Sequence, residues 1–195
     1  RPDLLTALFG GFSAGAYGTI YNYHWVLDSL QWPRTAAFPD AGGALDNGNA
    51  AGIRSLGPLK IPAWGVQSYL PSYCFDGDCA VGPELYREMA PRLLQVPEQQ
   101  MLILSNQKDN TQQRDAFFLA DEAQWINAMR SAYCDTKDLP GIQWYLTSDS
   151  INSVHVVTIR DEFYYGAVAG ELMVDWFNRA INDPTSLRDR AEEGN

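Results

Sequence analysis

The chain has 195 residues, a hydrophobic content of 46% and a formal net charge of −10 from 24 acidic and 14 basic residues. Such a length and balance describe one globular domain with a sizeable core and exclude the disordered and fibrous classes. The acidic excess argues against a nucleic-acid partner, because phosphate neutralisation needs clustered Lys and Arg, and no run is long and apolar enough to span a bilayer.

In chain order, the apolar run from Leu4 to Phe9 ends in Gly10-Gly11, as a buried parallel strand does. Ala16, Ile20, Tyr23, Leu27 and Leu30 then recur at intervals of three and four, which predicts a helix over 14–30 that Pro33 ends. Thr35 to Phe38 reads as a second strand, with a turn at Pro39-Asp40-Ala41-Gly42-Gly43.

From Gly43 to Pro97 the regularity fades into Gly, Pro and scattered aromatics such as Trp64, Tyr69 and Tyr86. The segment reads equally as a lid or pocket wall and as a surface excursion with a small core of its own. Within it Cys74 and Cys79 flank a Phe-Asp-Gly-Asp loop that a short disulfide can close, leaving Cys134 unpaired. That pairing favours an oxidising compartment; three buried thiols are the alternative. Asp76 and Asp78 supply too few oxygens for a Ca²⁺ site, so no metal or cofactor is expected.

Met101 to Leu104 reads as a third strand leading into Ser105-Asn106-Gln107-Lys108-Asp109, and Leu119, Ala123, Ile126, Met129 and Tyr133 mark a helix. After Pro140-Gly141, Ile142 to Leu146 is a fourth strand, and a polar loop from Thr147 to Ser153 precedes His155. A last helix carries an apolar stripe of Ala169, Leu172, Met173, Trp176, Phe177 and Ala180. This alternation predicts an α/β fold, a parallel sheet with helices on both faces, folded as one unit over 1–195. In such sheets the reactive groups collect beyond the C-terminal ends of the strands.

Gly11-Phe12-Ser13-Ala14-Gly15 matches GxSxG between a predicted strand and a predicted helix, where that motif forms a nucleophile elbow. Gly11 and Gly15 are expected to give steric room for the strained turn. The helix start beyond Ser13 favours developing negative charge, and the N–H of Ala14 is a candidate oxyanion donor.

A serine hydroxyl needs a base, and the chain has two histidines. His24 lies about three turns along the helix that leaves Ser13, too far to reach back. His155 follows the last predicted strand and completes the order Ser, acid, His. Asp109 and Asp40 both follow strands at the correct edge; Asp109 is preferred by position, with Asp40 as the alternative acid.

Gly11-Phe12-Ser13-Ala14-Gly15-Ala16-Tyr17-Gly18 resembles the GxSAGxxG elbow of the pectin acetylesterase and Notum family of hydrolases. Asp40-Ala41-Gly42-Gly43-Ala44-Leu45-Asp46 is similar to that family's DAGxxLD segment, and Asp109-Asn110-Thr111-Gln112 to its DxxQ acid motif. His155 falls where the family's catalytic histidine falls. The resemblance implies a secreted or periplasmic serine carboxylesterase with an α/β-hydrolase fold. Its substrate would be a small acyl ester or an acylated carbohydrate, with Asp109 as the acid.

Phe12 replaces the cysteine the family often has before the serine, and most family disulfides are absent, as in a distant, bacterial-type member. An acyltransferase with the same triad and a catalytically silent binding module are the alternatives.

The family places a second oxyanion donor in a Gly-Trp loop upstream of the elbow, and this chain starts about a dozen residues before Ser13. An N-terminal segment, from the same precursor or a longer protein, is therefore expected to supply that donor and to cover the first strand.

Overall fold

The structure is a computed structural model and describes residues 6–30, 32–43, 83–95, 98–113, 121–148 and 154–192. Its centre is a five-stranded sheet in the order β1-β2-β3-β4-β7, formed by β1 (Ala7–Phe12), β2 (Thr35–Asp40), β3 (Gln100–Asn106), β4 (Ile142–Thr147) and β7 (Arg190–Ala191). Every neighbouring pair is parallel. The chain has an α/β fold.

Successive residues of a strand point to opposite faces, and here both faces are covered. Ala37, Met101, Ile103, Ile142, Trp144 and Leu146 face α1 (Ala14–Ser29), α2 (Pro83–Leu93) and α4 (Glu122–Thr136). Ala36, Leu102, Leu104 and Tyr145 face α5 (Met173–Asn182), chiefly through Met173, Trp176 and Ala180. Coverage on two sides explains why β3, buried at every position, reads as a nearly unbroken apolar run.

β1 is the exception. It forms one edge of the sheet among the described residues, and its exposure alternates. Phe9 stacks on Tyr23 of α1, whereas Leu8 and Phe12, pointing the other way, are exposed. Between them Gly10 admits the ring of Phe38, which a Cβ at that position would strike at 2.2 Å.

Several element boundaries differ from the sequence reading. β1 runs through Gly10-Gly11 to Phe12, so the strand delivers Ser13 directly. Residues 83–93, inside the segment expected to be irregular, form α2, and Leu85, Tyr86, Met89, Ala90 and Leu93 enter the main core. Their helical spacing is in the sequence, but three prolines around it mask the pattern; Pro91 lies inside the helix, in its last turn, where it removes one backbone donor. Residues 44–82 of that segment, with Cys74 and Cys79, lie outside the described residues. Cys134, on α4, is an exposed free thiol.

The last helix starts at Met173, not at Ala169. Residues 167–172 form a small antiparallel hairpin of β5 (Ala167–Val168) and β6 (Glu171–Leu172), whose turn residues Ala169 and Gly170 both have positive φ. Tyr145 anchors it from the sheet: its hydroxyl donates to the Glu171 carbonyl (2.6 Å) and accepts from the Val168 N–H (3.0 Å). β7 escaped the sequence reading because two residues carry no periodicity; it pairs with Tyr145 and Leu146. No helix among the described residues is long and apolar enough to cross a membrane.

Candidate active site

The parallel sheet brings the ends of β1, β2, β3 and β4 to one edge, and the polar groups singled out in the sequence meet there. Ser13 follows β1 with φ 55° and ψ −119°, a conformation that costs a non-glycine residue about 1–3 kcal/mol and persists only when its surroundings hold it. Two features hold it. Its N–H donates to the Asp40 carbonyl at 2.9 Å, and α1 begins immediately afterwards.

The position of Ser13 is that of an N-cap, where a serine side chain ordinarily accepts from an N–H of the first helical turn. Ser13 makes no such bond. Its Oγ lies 2.8 Å from Nε2 of His155 instead.

On the other side of the ring, Nδ1 of His155 lies 2.8 and 3.0 Å from the two carboxylate oxygens of Asp109. A carboxylate accepts and does not donate, so Nδ1 carries the ring proton and Nε2 presents its lone pair to the Ser13 hydroxyl. The serine is thus the donor, in the geometry a general base requires.

Asp109 is fully buried, and four donors surround it. Besides His155, the N–H groups of Thr111 (3.0 Å) and Gln112 (3.1 Å) bond Oδ1, at the start of α3 (Asn110–Gln113), and Nε2 of Gln112 bonds Oδ2 at 2.7 Å. The other end of that amide, Oε1, accepts from the hydroxyl of Tyr17 at 3.0 Å. Burial, with smaller contributions from Tyr21, Tyr86 and Asp109, raises the Tyr17 phenol well above its ordinary pKa, so it stays a donor. One buried line of hydrogen bonds therefore runs from α1 through Gln112 to the acid and on to the histidine. Sequence reading found the Asp109-to-Gln112 spacing without assigning the glutamine a role, and had no signal for Tyr17, whose partner is 95 positions away.

Asp40 does not bond His155. Its fully buried carboxylate accepts from the N–H groups of Val157 (3.2 Å) and Thr158 (2.8 Å) and from the Thr158 hydroxyl (2.6 Å). Burial raises its carboxyl from the ordinary value, and the Thr158 and Val157 hydrogen bonds pull it back. Between the two acids, the contact with the histidine belongs to Asp109. His24 is buried on α1 beside Trp25, with ring centroids 4.9 Å apart.

The two elbow glycines differ. A Cβ on Gly11 would lie 2.3 Å from the Gly15 carbonyl oxygen, so the close approach of strand and helix depends on Gly11. A Cβ on Gly15 would meet nothing within 4 Å among the described residues. A comparable crowding occurs at Gly42, whose Cβ would lie 2.5 Å from that of Ala16.

Ala14 opens α1 and is exposed. As the first helical residue it has no carbonyl one turn back for its N–H, and the first turn carries no acidic side chain to offset the helix dipole. An oxyanion beside Ser13 would meet that end of the helix. Among the described residues no group of His, Cys, Asp and Glu is arranged to hold a metal ion. No protein-family model, curated protein or solved structure matches the chain.

Proposed function

We propose that the chain is the catalytic unit of an α/β-hydrolase that cleaves a carboxylic ester through an acyl-enzyme on Ser13. The observation that carries this reading is the Ser13 hydroxyl, turned away from its capping role and onto His155, whose opposite nitrogen is held by buried Asp109.

His155 takes the hydroxyl proton as Oγ attacks the ester carbonyl. The oxyanion forms near the Ala14 N–H at the start of α1, and the Asp109 carboxylate stabilises the imidazolium without taking its proton. The imidazolium then protonates the leaving alcohol as the acyl-enzyme forms. A water deprotonated by His155 attacks the acyl carbon, the acid product departs, and Ser13 recovers its proton.

The resemblance of the elbow, of the Asp40 segment and of the Asp109 segment to the pectin acetylesterase and Notum family favours a small acyl ester or an acylated carbohydrate as substrate. Incubation with a fluorophosphonate tests the reading: phosphonylation of Ser13, located by peptide mass spectrometry and coupled to loss of p-nitrophenyl ester hydrolysis, is the expected result. A folded protein that neither reacts nor hydrolyses such esters would exclude it.

A further inference from the structure

Asp40 ends β2 at a point where both halves of the nucleophile–base pair can be reached. Its main chain holds one partner and its side chain the other. The Asp40 carbonyl accepts the Ser13 N–H at 2.9 Å, fixing the backbone of a residue at positive φ. The Asp40 carboxylate accepts three bonds from Val157 and Thr158, the second and third residues after His155. Among the described residues no lysine or arginine pairs with it.

A fully buried carboxylate without a cation is costly, and hydrogen bonds are what make it tolerable. Among the described residues all of its side-chain bonds go to the turn that carries the base. Residues 154–158 lie in neither helix nor strand, so no ladder of backbone bonds fixes His155. The tie to Asp40 takes the place of one.

We propose that Asp40 is a positioning residue that holds Ser13 and His155 in register, its carbonyl setting the nucleophile and its carboxylate strapping the turn that carries the base. The proposal rests on the reading of Ser13 and His155 as a working pair. Among the described residues no hydrogen bond of Asp40 goes to the reacting atoms or to Asp109; it fixes the separation across which the proton moves.

The test compares Thr158→Val, Thr158→Ser and Asp40→Asn with wild type in three measurements: kcat and KM on p-nitrophenyl acetate, the rate of fluorophosphonate labelling, and the downfield NMR resonance of the His155 Nδ1 proton. Thr158→Val removes one strap bond at nearly constant volume and should lower kcat and labelling in parallel with KM unchanged. Thr158→Ser restores the hydroxyl and should recover most of the loss. Asp40→Asn should cost more, up to about 100-fold for a misplaced base.

In both damaging variants the Nδ1 resonance should shift or broaden. An unmoved resonance, a loss confined to KM, or a Thr158→Ser variant as impaired as Thr158→Val would overturn the proposal. If Asp40→Asn fails to fold, Thr158→Val decides. If wild type neither hydrolyses esters nor labels, the esterase reading fails, and the resonance still decides whether Asp40 positions His155.

Discussion

Ser13 and His155 stand 142 positions apart in the chain, yet Oγ and Nε2 approach to 2.8 Å. The distance is set by elements that neither residue belongs to. β1 and α1 fix the serine, the Asp109 carboxylate holds the far side of the ring, and the end of β2 holds the turn that follows the histidine.

Ser13→Ala removes the nucleophile and leaves the elbow backbone in place. Ester turnover and fluorophosphonate labelling should both vanish while circular dichroism stays unchanged. Turnover within a few-fold of wild type would exclude an acyl-enzyme on Ser13.

Asp109→Asn keeps the shape of the side chain and loses the charge that opposes the imidazolium and selects the Nδ1–H tautomer. It should lower kcat by about 10⁴, as in the serine-protease precedent. Asp40→Asn should cost far less. A reversal of that ranking in steady-state kinetics would make Asp40 the acid.

Tyr17→Phe deletes the donor to Oε1 of Gln112, leaving a buried amide oxygen short of a partner. The expected cost in unfolding free energy is about 1–3 kcal/mol, read by urea denaturation. Because that amide also holds Asp109, kcat should fall with KM unaltered. A variant with normal stability would show that the amide finds another donor.

Gly11→Ala and Gly15→Ala separate the two elbow glycines. The first drives a methyl into the Gly15 carbonyl and should destabilise the protein by about 1–3 kcal/mol. The second meets open space among the described residues and should stabilise it by up to about 1 kcal/mol, since alanine restricts the unfolded chain and favours the helix. Thermal melts of both variants check the pair.

Asp189 accepts the Trp144 N–H at 2.8 Å, and burial lifts its carboxyl from 3.8 to about 6 in the folded chain. Below 3.8 it is neutral in both states and carries no penalty. As pH rises through about 6 it must ionise in a half-buried place, so its stabilising contribution is lost. Asp189→Asn keeps the acceptor for Trp144 and cannot ionise. The variant should therefore gain stability over wild type as pH rises across that interval, in melts at matched ionic strength. A difference that does not vary with pH would mean Asp189 is not desolvated.

The strand and helix order was legible in the sequence because burial on two faces leaves long apolar runs and burial on one leaves a period of 3.6, signals that survive in one dimension. The elbow was legible for a similar reason: Gly11, Ser13 and the start of α1 are contiguous, so their strain and spacing are local. What lacked a local signal was missed. Two-residue β7 exists only because β4 offers it an edge, α2 hides behind its prolines, and the 167–172 hairpin depends on the Tyr145 hydroxyl.

In the candidate site, the sequence by itself determined the residue types, their order, and their place after strands. It favoured Asp109 over Asp40 by position and by resemblance but could not show which carboxylate meets the imidazole, since both follow a strand at the same edge. Only the tertiary structure did so, giving one carboxylate to the imidazole and the other to the turn beyond it. The physical reason is that a hydrogen bond is decided within a few tenths of an ångström, and that precision comes from how strands stack and helices pack, not from the spacing of residues along the chain.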